Sequence, residues 1–139
     1  MDELLILLKL CRFDVFGVTE THLKSEIINR KIDIEDYNLI RRDRPDRQGG
    51  GCVIYYRKSL KVINRPGFGD KQVKGICMQV KADSRDNLIG TIYRPPNQNS
   101  EFSTAFPKLL ENIWIKFSNT ILLGDYNASL LQDERGNTS

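Results

Sequence analysis

The chain has 139 residues, 40% of them hydrophobic and 28% charged, the size and balance of one soluble globular domain. It has no apolar run long enough to span a bilayer. Its three cysteines, Cys11, Cys52 and Cys77, lie far apart, which excludes a cysteine-ligated metal module and a disulfide framework. They are expected to be buried, reduced thiols of an intracellular protein, nuclear or cytoplasmic. The net charge of +3 is modest, but between Arg41 and Arg65 eight Lys or Arg stand against two Asp. A local basic belt on a near-neutral chain suits a polyanion-facing edge. A solvated loop with two exposed strand faces would give the same pattern.

Leu4, Leu7, Leu8 and Cys11 recur at helical spacing, which predicts a helix over 2–11 packed into a core. Asp2 and Glu3 precede this apolar run, so it lacks the basic leader of a secretory signal. Residues 14–19 read as a buried strand that ends in Glu20-Thr21-His22. Residues 25–36 read as loop with a helical turn, and 37–41 as a short strand. The loop 42–51 holds Pro45 and three glycines, which supply unusual backbone angles. Strands follow over 52–57, 60–64, 73–81 and 88–93, rich in Val, Ile and Tyr. The loops between them, 66–72 and 82–87, suit antiparallel connections. Pro95 and Pro96 close the last of these strands, because proline cannot continue a ladder. Phe102, Phe106, Leu109, Leu110, Ile113 and Phe117 share one helical face. That helix is expected to start near Ser103 or Thr104, leaving Pro107 in its first turn. Residues 120–124 form a final buried strand, and 129–139 a polar tail. The order of elements predicts an α/β protein of mixed sheets with helices on the outside.

Three strand ends carry polar groups. Ile121-Leu122-Leu123-Gly124 delivers Asp125 and Asn127, two residues apart, to a sheet rim. Side chains at that spacing share a face in a strand, so a carboxylate and an amide would sit together there. Such a pair suits a phosphate and a metal-bound water, although Gly, Asp and Asn also dominate plain turns. Glu20 ends the first strand and offers a hard oxygen ligand of the kind Mg²⁺ takes. Tyr93 ends the strand before the double proline. If these strands are neighbours, an acid, a phenol and an acid–amide pair converge on one rigid frame. His22 is the only histidine and stands two residues beyond Glu20.

The ordered set Val-Thr-Glu-Thr-His, Gly-Gly-Gly-Cys-Val-Ile-Tyr, Ile-Tyr-Arg-Pro-Pro-Asn and Leu-Leu-Gly-Asp-Tyr-Asn-Ala resembles the endonuclease/exonuclease/phosphatase superfamily. Within it the chain most resembles the apurinic-endonuclease-like domain of non-LTR retrotransposons, from about Phe13 to Ala128. The resemblance implies a four-layer α/β/β/α sandwich, present here incompletely, and Mg²⁺-dependent cleavage of phosphodiester bonds, with Mn²⁺ as an alternative ion. It implies that Glu20 binds the metal and that Tyr93 contacts the scissile phosphate. Asp125 would orient and help activate the attacking water, and Asn127 would hydrogen-bond the phosphate. Asn97 resembles a further substrate-contacting residue, displaced by an extra proline. Arg94 and Arg44 are candidate contacts to the DNA phosphate backbone. The implied partners are DNA and a reverse transcriptase in the parent element, with no membrane.

Departures from the family pattern set a further expectation. Family members begin with a strand bearing an Asn, and end with strands bearing a second Asp and a Ser-Asp-His-like motif. No counterpart is found here, so residues 1–139 are expected to form a single partial domain, weakly active or inactive alone. Positioned acid–base groups contribute about 10²–10⁴-fold to such reactions. The alternatives are a non-catalytic nucleic-acid-binding remnant, another phosphoesterase of the same superfamily, or an unrelated α/β domain.

Overall fold

The computed structural model describes residues 2–43, 50–66, 73–94 and 100–126. In chain order the elements are α1 (Asp2–Cys11), β1 (Val15–Thr19), β2 (Tyr37–Arg42), β3 (Cys52–Arg57), β4 (Lys61–Asn64), β5 (Lys74–Ala82), β6 (Arg85–Tyr93), α2 (Ser100–Lys116) and β7 (Asn119–Asp125). A single 3₁₀ turn, Asn29–Lys31, lies between β1 and β2. One sheet has the order β1-β3-β2, with antiparallel pairs throughout. The other has the order β4-β5-β6-β7, antiparallel except for the parallel pair β6–β7. Parallel neighbours need a long crossover, and α2 supplies it.

Alternation along the strands builds the layers. Ile76, Met78, Val80 and Tyr93 of one sheet pack against Cys52 and Ile54 of the other, forming the core between the sheets. The opposite face of the three-stranded sheet, with Tyr37, Val53 and Tyr55, is covered by Leu8 of α1 and by Ile34. The opposite face of the four-stranded sheet is covered by Phe102, Ala105, Ile113 and Phe117, at and just beyond α2. The result is the expected α/β/β/α layering. Ile54, Met78, Leu88, Ile92 and Ile113 are fully buried, each stabilising the fold by roughly 1.5–3 kcal/mol relative to exposure. The sheets approach closely at Gly17, where a Cβ would lie 2.1 Å from Thr91 Oγ1.

Four details depart from the sequence reading. β7, expected to be a buried strand over 120–124, ends the described sheet and leaves Ile121 and Leu123 exposed. Cys11 is exposed, as is Leu7; α1 turns Leu4, Leu5 and Leu8 inward instead. Cys52 and Cys77, by contrast, are buried and form no disulfide, as expected. The hairpin β5–β6 turns on Asp83 and Ser84 alone, both at positive φ (52° and 59°). Two successive left-handed residues match the strand twist, so both strands run longer than their apolar residues suggest. Finally, α2 starts at Ser100, which leaves Pro107 inside the helix. Burial of Phe102, stacked on Phe106 at 5.0 Å, holds the added first turn, and Pro107 itself faces solvent.

Candidate active site

The parallel register decides where the strand ends meet. Tyr93 pairs with Asp125 across β6 and β7, and with Lys74 across β6 and β5. Directly opposed residues share a face, and Tyr93 faces the inter-sheet core. Across that core, Thr19 ends β1 in register with Cys52. Glu20 follows immediately, and the Tyr93 hydroxyl donates a 2.7 Å hydrogen bond to Glu20 Oε1. Asp125, Tyr93 and Glu20 therefore share one rim of the sandwich.

Each member is fixed by its local backbone. Tyr93 is 4% exposed, so its ring is locked by packing. Arg94 N–H donates to the Asp125 carbonyl at 2.9 Å, extending the ladder to the last residue of β7. Gly124 has φ +149°, and a Cβ there would lie 1.7 Å from the Ile92 carbonyl oxygen. Only glycine lets β7 lie this close beside β6. Glu20 holds a left-handed conformation at φ 53°, and His22 another at φ 51°. Such angles are costly for these residue types and persist where the surroundings impose them. The surroundings are Gly50 and Gly51, at φ 100° and 91°. Their carbonyls accept hydrogen bonds from His22 N–H at 2.9 Å and Thr21 N–H at 3.3 Å. The glycines expected to bend the 42–51 loop thus anchor the turn that presents Glu20.

The remaining sequence candidates separate. Asn127, Asn97 and Arg44 lie outside the described residues. Arg94 stacks its guanidinium over the Phe102 ring at 5.0 Å, on the α2 side of the sheet. His22 is exposed. The basic belt is partly structural. Arg41 holds Asp43, the Lys24 and Ile27 carbonyls and Asn29 Oδ1. The Asp43 carboxylate raises the Arg41 pKa further. Arg65 is bound to the buried Gln79, which donates in turn to Asp86 at 2.6 Å. Arg42 Nη1 reaches across to the Gly75 carbonyl at 3.2 Å. Burial pushes the Cys52 thiol up to about 11, against the opposing pull of Arg42, and pushes Cys77 up to about 11 as well. Neither buried thiol is a nucleophile at neutral pH.

Among the described residues no group of three or more His, Cys, Asp or Glu could hold a metal ion. Mg²⁺ does not require one, because it is usually held by one or two carboxylates plus substrate phosphate and water. The hard oxygens of Glu20, bonded to Tyr93, and of Asp125, its neighbour in the ladder, fit that sparse set. Among the described residues no helix is long and apolar enough to cross a membrane.

Comparison with solved structures agrees with this architecture. The endonuclease domain of TRAS1, a telomere-specific non-LTR retrotransposon, superposes with a TM-score of 0.68 at 13% identity, over 94% of this chain and 54% of that one. ANGEL2, a 2′,3′-cyclic phosphatase, gives a TM-score of 0.67 at 20% identity, over 94% and 44%. D. rerio TDP2 complexed with a single-strand DNA product gives 0.66 at 19% identity, over 92% and 53%. An endonuclease/exonuclease/phosphatase family protein from Bacteroides thetaiotaomicron also matches, with a TM-score of 0.60. No protein-family profile and no curated protein matches the sequence. The chain has the endonuclease/exonuclease/phosphatase fold, and it spans about half the length of the solved structures it matches.

Lys74, in line with Tyr93 and Asp125, escaped the sequence reading. Its signal was phase: Lys74 stands two, four and six residues before Ile76, Met78 and Val80, so it belongs to the face they bury.

Proposed function

We propose that this chain supplies one wall of a Mg²⁺-dependent phosphodiester-cleaving site of the retrotransposon-endonuclease kind, directed at the DNA backbone. The observation that carries the proposal is the Tyr93–Glu20 hydrogen bond of 2.7 Å, with Asp125 beside Tyr93 in the ladder. The carboxylate of Glu20, at a left-handed turn, has a phenol partner from the core, and Asp125 follows beside that phenol in the ladder.

In this reading Glu20 holds the divalent cation, Mg²⁺ or alternatively Mn²⁺, with Asp125 close by. The bound ion supplies Lewis-acid polarisation of a phosphoryl oxygen. The Tyr93 hydroxyl is positioned to turn from Glu20 towards a phosphate oxygen, donating to the charge that grows there. Asp125 accepts a hydrogen bond from the attacking water and orients it. The roles of Asn127, Asn97 and Arg44 as phosphate and substrate contacts rest on the resemblance alone. The single-strand DNA product in the TDP2 neighbour supports a nucleic-acid substrate. The proposal extends to an intracellular setting, nuclear or cytoplasmic, and to a reverse transcriptase as partner in the parent element.

The family's acid–base pair requires a histidine, and the only one in the sequence is exposed His22. We propose that the 139 residues alone bind cation and DNA but cleave weakly or not at all. Calorimetric titration with Mg²⁺ or Mn²⁺ tests the site. Binding should be lost in Glu20→Gln and weakened in Asp125→Asn, and binding indifferent to both would overturn the proposal. Supercoiled-plasmid nicking tests the second half. Robust turnover abolished by Asp125→Ala would refute weak activity while keeping the site.

A further inference from the structure

The two sides of the sandwich, where its sheets end, are built differently. Among the described residues the outer strands are β1 and β2 in one sheet and β4 and β7 in the other. β1 lies against β7 across the sandwich and β2 against β5, so β1 and β7 share one side and β2 and β4 the other. An unpaired strand edge is ordinarily guarded by charge. β2 carries Arg41 and Arg42, and β4 carries Lys61. β1 has no charged residue, and β7 has only Asp125, at its last position. Ile121 and Leu123 pair with Ile89 and Thr91, which face the other sheet. Both therefore point into the apolar layer between the sheets, and both are exposed where that layer ends at β7.

The backbone groups on this side are self-complementary. The Asp125 carbonyl is turned to Arg94, just past β6, so alternation turns the groups of Thr120, Leu122 and Gly124 to the open edge. The Asp14 carbonyl is turned to Arg57 of β3, which likewise sends those of Val15, Gly17 and Thr19 outward. A two-fold axis along the sheet normals then pairs β7 antiparallel with β7, Leu122 against Leu122 and Thr120 against Gly124. The same axis pairs β1 with β1 about Gly17. The two centres are in line, because Gly17 packs on Thr91 and Thr91 pairs with Leu123, next to Leu122. In this register Ile121 covers Leu123 of the other copy, and Asn119 meets Asp125, an amide against a carboxylate. Asp14, brought towards Glu20 of the other copy, is held by Arg57 at 3.4 Å. A wall about 23 Å long and about 30 Å deep, from strand rise and layer spacing, offers roughly 700 Å² per copy, about 1,400 Å² in all, within the range of stable interfaces.

We propose that the β1–β7 side is a self-association surface, on which a second copy of this chain docks about that two-fold axis and continues both sheets. Ile121 and Leu123 supply its apolar centre, and the edge groups of β1 and β7 supply its hydrogen bonds. The guarded β2–β4 side takes no part. The inference stands on strand pairing and exposure and does not depend on the proposed metal site.

Sedimentation velocity of the full chain from about 1 to 200 µM tests this. It should show a monomer passing to a dimer, the weak end of what an interface of this size gives. Ile121→Lys, at an exposed position, should raise the dissociation constant about 100-fold, since each copy brings the change to the interface. Ile28→Lys is equally exposed, beside the turn that Arg41 of β2 holds, and should leave the constant within about twofold. Hydrogen exchange on the parent chain gives a second reading that needs no variant. The Thr120 and Leu122 amides should slow as concentration rises, while those of Val62 and Asn64, on the open edge of β4, should not. A monomer at every concentration would overturn the proposal, as would a dimer indifferent to Ile121→Lys. A monomer whose Thr120 and Leu122 amides are already protected would assign the edge to a segment of the same chain, and the second copy would be excluded.

Discussion

β6 and β7 lie side by side in parallel, and each delivers one residue to the candidate site, yet they are held in different ways. β6 is interior. Leu88 and Ile92 are buried beneath α2, while Thr91 and Tyr93 are buried against the other sheet. β7 has one described neighbour in the sheet, and its Ile121 and Leu123 are 55% and 40% exposed. Tyr93 is therefore fixed by packing on all sides. Asp125 is fixed chiefly by backbone: the Arg94 N–H bond and the close approach at Gly124. On the outer face Tyr126 packs near Phe106, at 5.8 Å between ring centroids. In the proposed site a phenol fixed by packing would define the position of a phosphate, while a carboxylate at the end of a more exposed strand would orient a water.

This contrast can be broken most directly by truncating each strand. Ile92→Ala should cost about 3–4 kcal/mol, because a fully buried methyl cluster leaves a cavity. Leu123→Ala, one strand over, should cost less than about 1 kcal/mol, as for an exposed site. Urea unfolding of both variants measures the difference, and equal losses would mean that β7 is as deeply packed as β6. Gly124→Ala comes next. It should cost about 2–3 kcal/mol through strain at a position suited to glycine. It should also weaken Mg²⁺ binding, because β7 must move away from β6 and carry Asp125 with it. Normal stability with normal Mg²⁺ affinity would remove Gly124 as the anchor of the carboxylate.

The parts of this arrangement that a single strand specifies were legible in the sequence. Glu20, Tyr93 and Asp125 each end an apolar run, and a run ending in a polar residue marks a sheet rim. The helices and most strand cores follow from periodicity, whereas the layering was implied by the resemblance of the ordered motifs. What required the structure was pairing between distant strands. The parallel register that puts Tyr93 beside Asp125 depends on the length and docking of α2, whose first turn is held by Phe102 rather than by any start signal at Ser103. The alignment of Lys74 with Tyr93 and Asp125 depends on two such registers at once. Cys11 misled because helical spacing marks a face without saying how far the sheet beneath it extends. Asp83 and Ser84 misled because a two-residue turn is set by the twist of its strands as much as by composition.

The interior–edge contrast sharpens further with pH. Cys77 lies in β5 opposite Gly90 of β6, and Cys52 in β3; burial raises both thiols from 9.0 to about 11. Between those values the unfolded chain loses the protons that the folded chain keeps. Stability is then fully present below pH 9 and falls as pH rises towards 11. At pH 10 the loss should be roughly 1.4 kcal/mol per thiol. Cys77→Ala should flatten, without abolishing, the alkaline fall of the urea midpoint, because burial also raises Cys52, Tyr55 and Tyr126. An unchanged slope in Cys77→Ala would show that this thiol is not sealed from water.

The smallest effect is expected at Thr91. Its hydroxyl is buried at the contact with Gly17 and has no hydrogen-bond partner among the described residues. A buried polar group without a partner costs stability that an apolar group of the same shape does not. Thr91→Val keeps the shape and removes the cost, so it should raise stability by about 1 kcal/mol. It lies on the same face of β6 as Tyr93, two residues earlier, so the variant also asks whether the hydroxyl serves the site. A stabilised chain with unchanged Mg²⁺ and oligonucleotide affinity would assign Thr91 to packing alone. A stabilised chain that binds either more weakly would mean that β6, the rigid member of the pair, holds polarity in its core for the benefit of the rim.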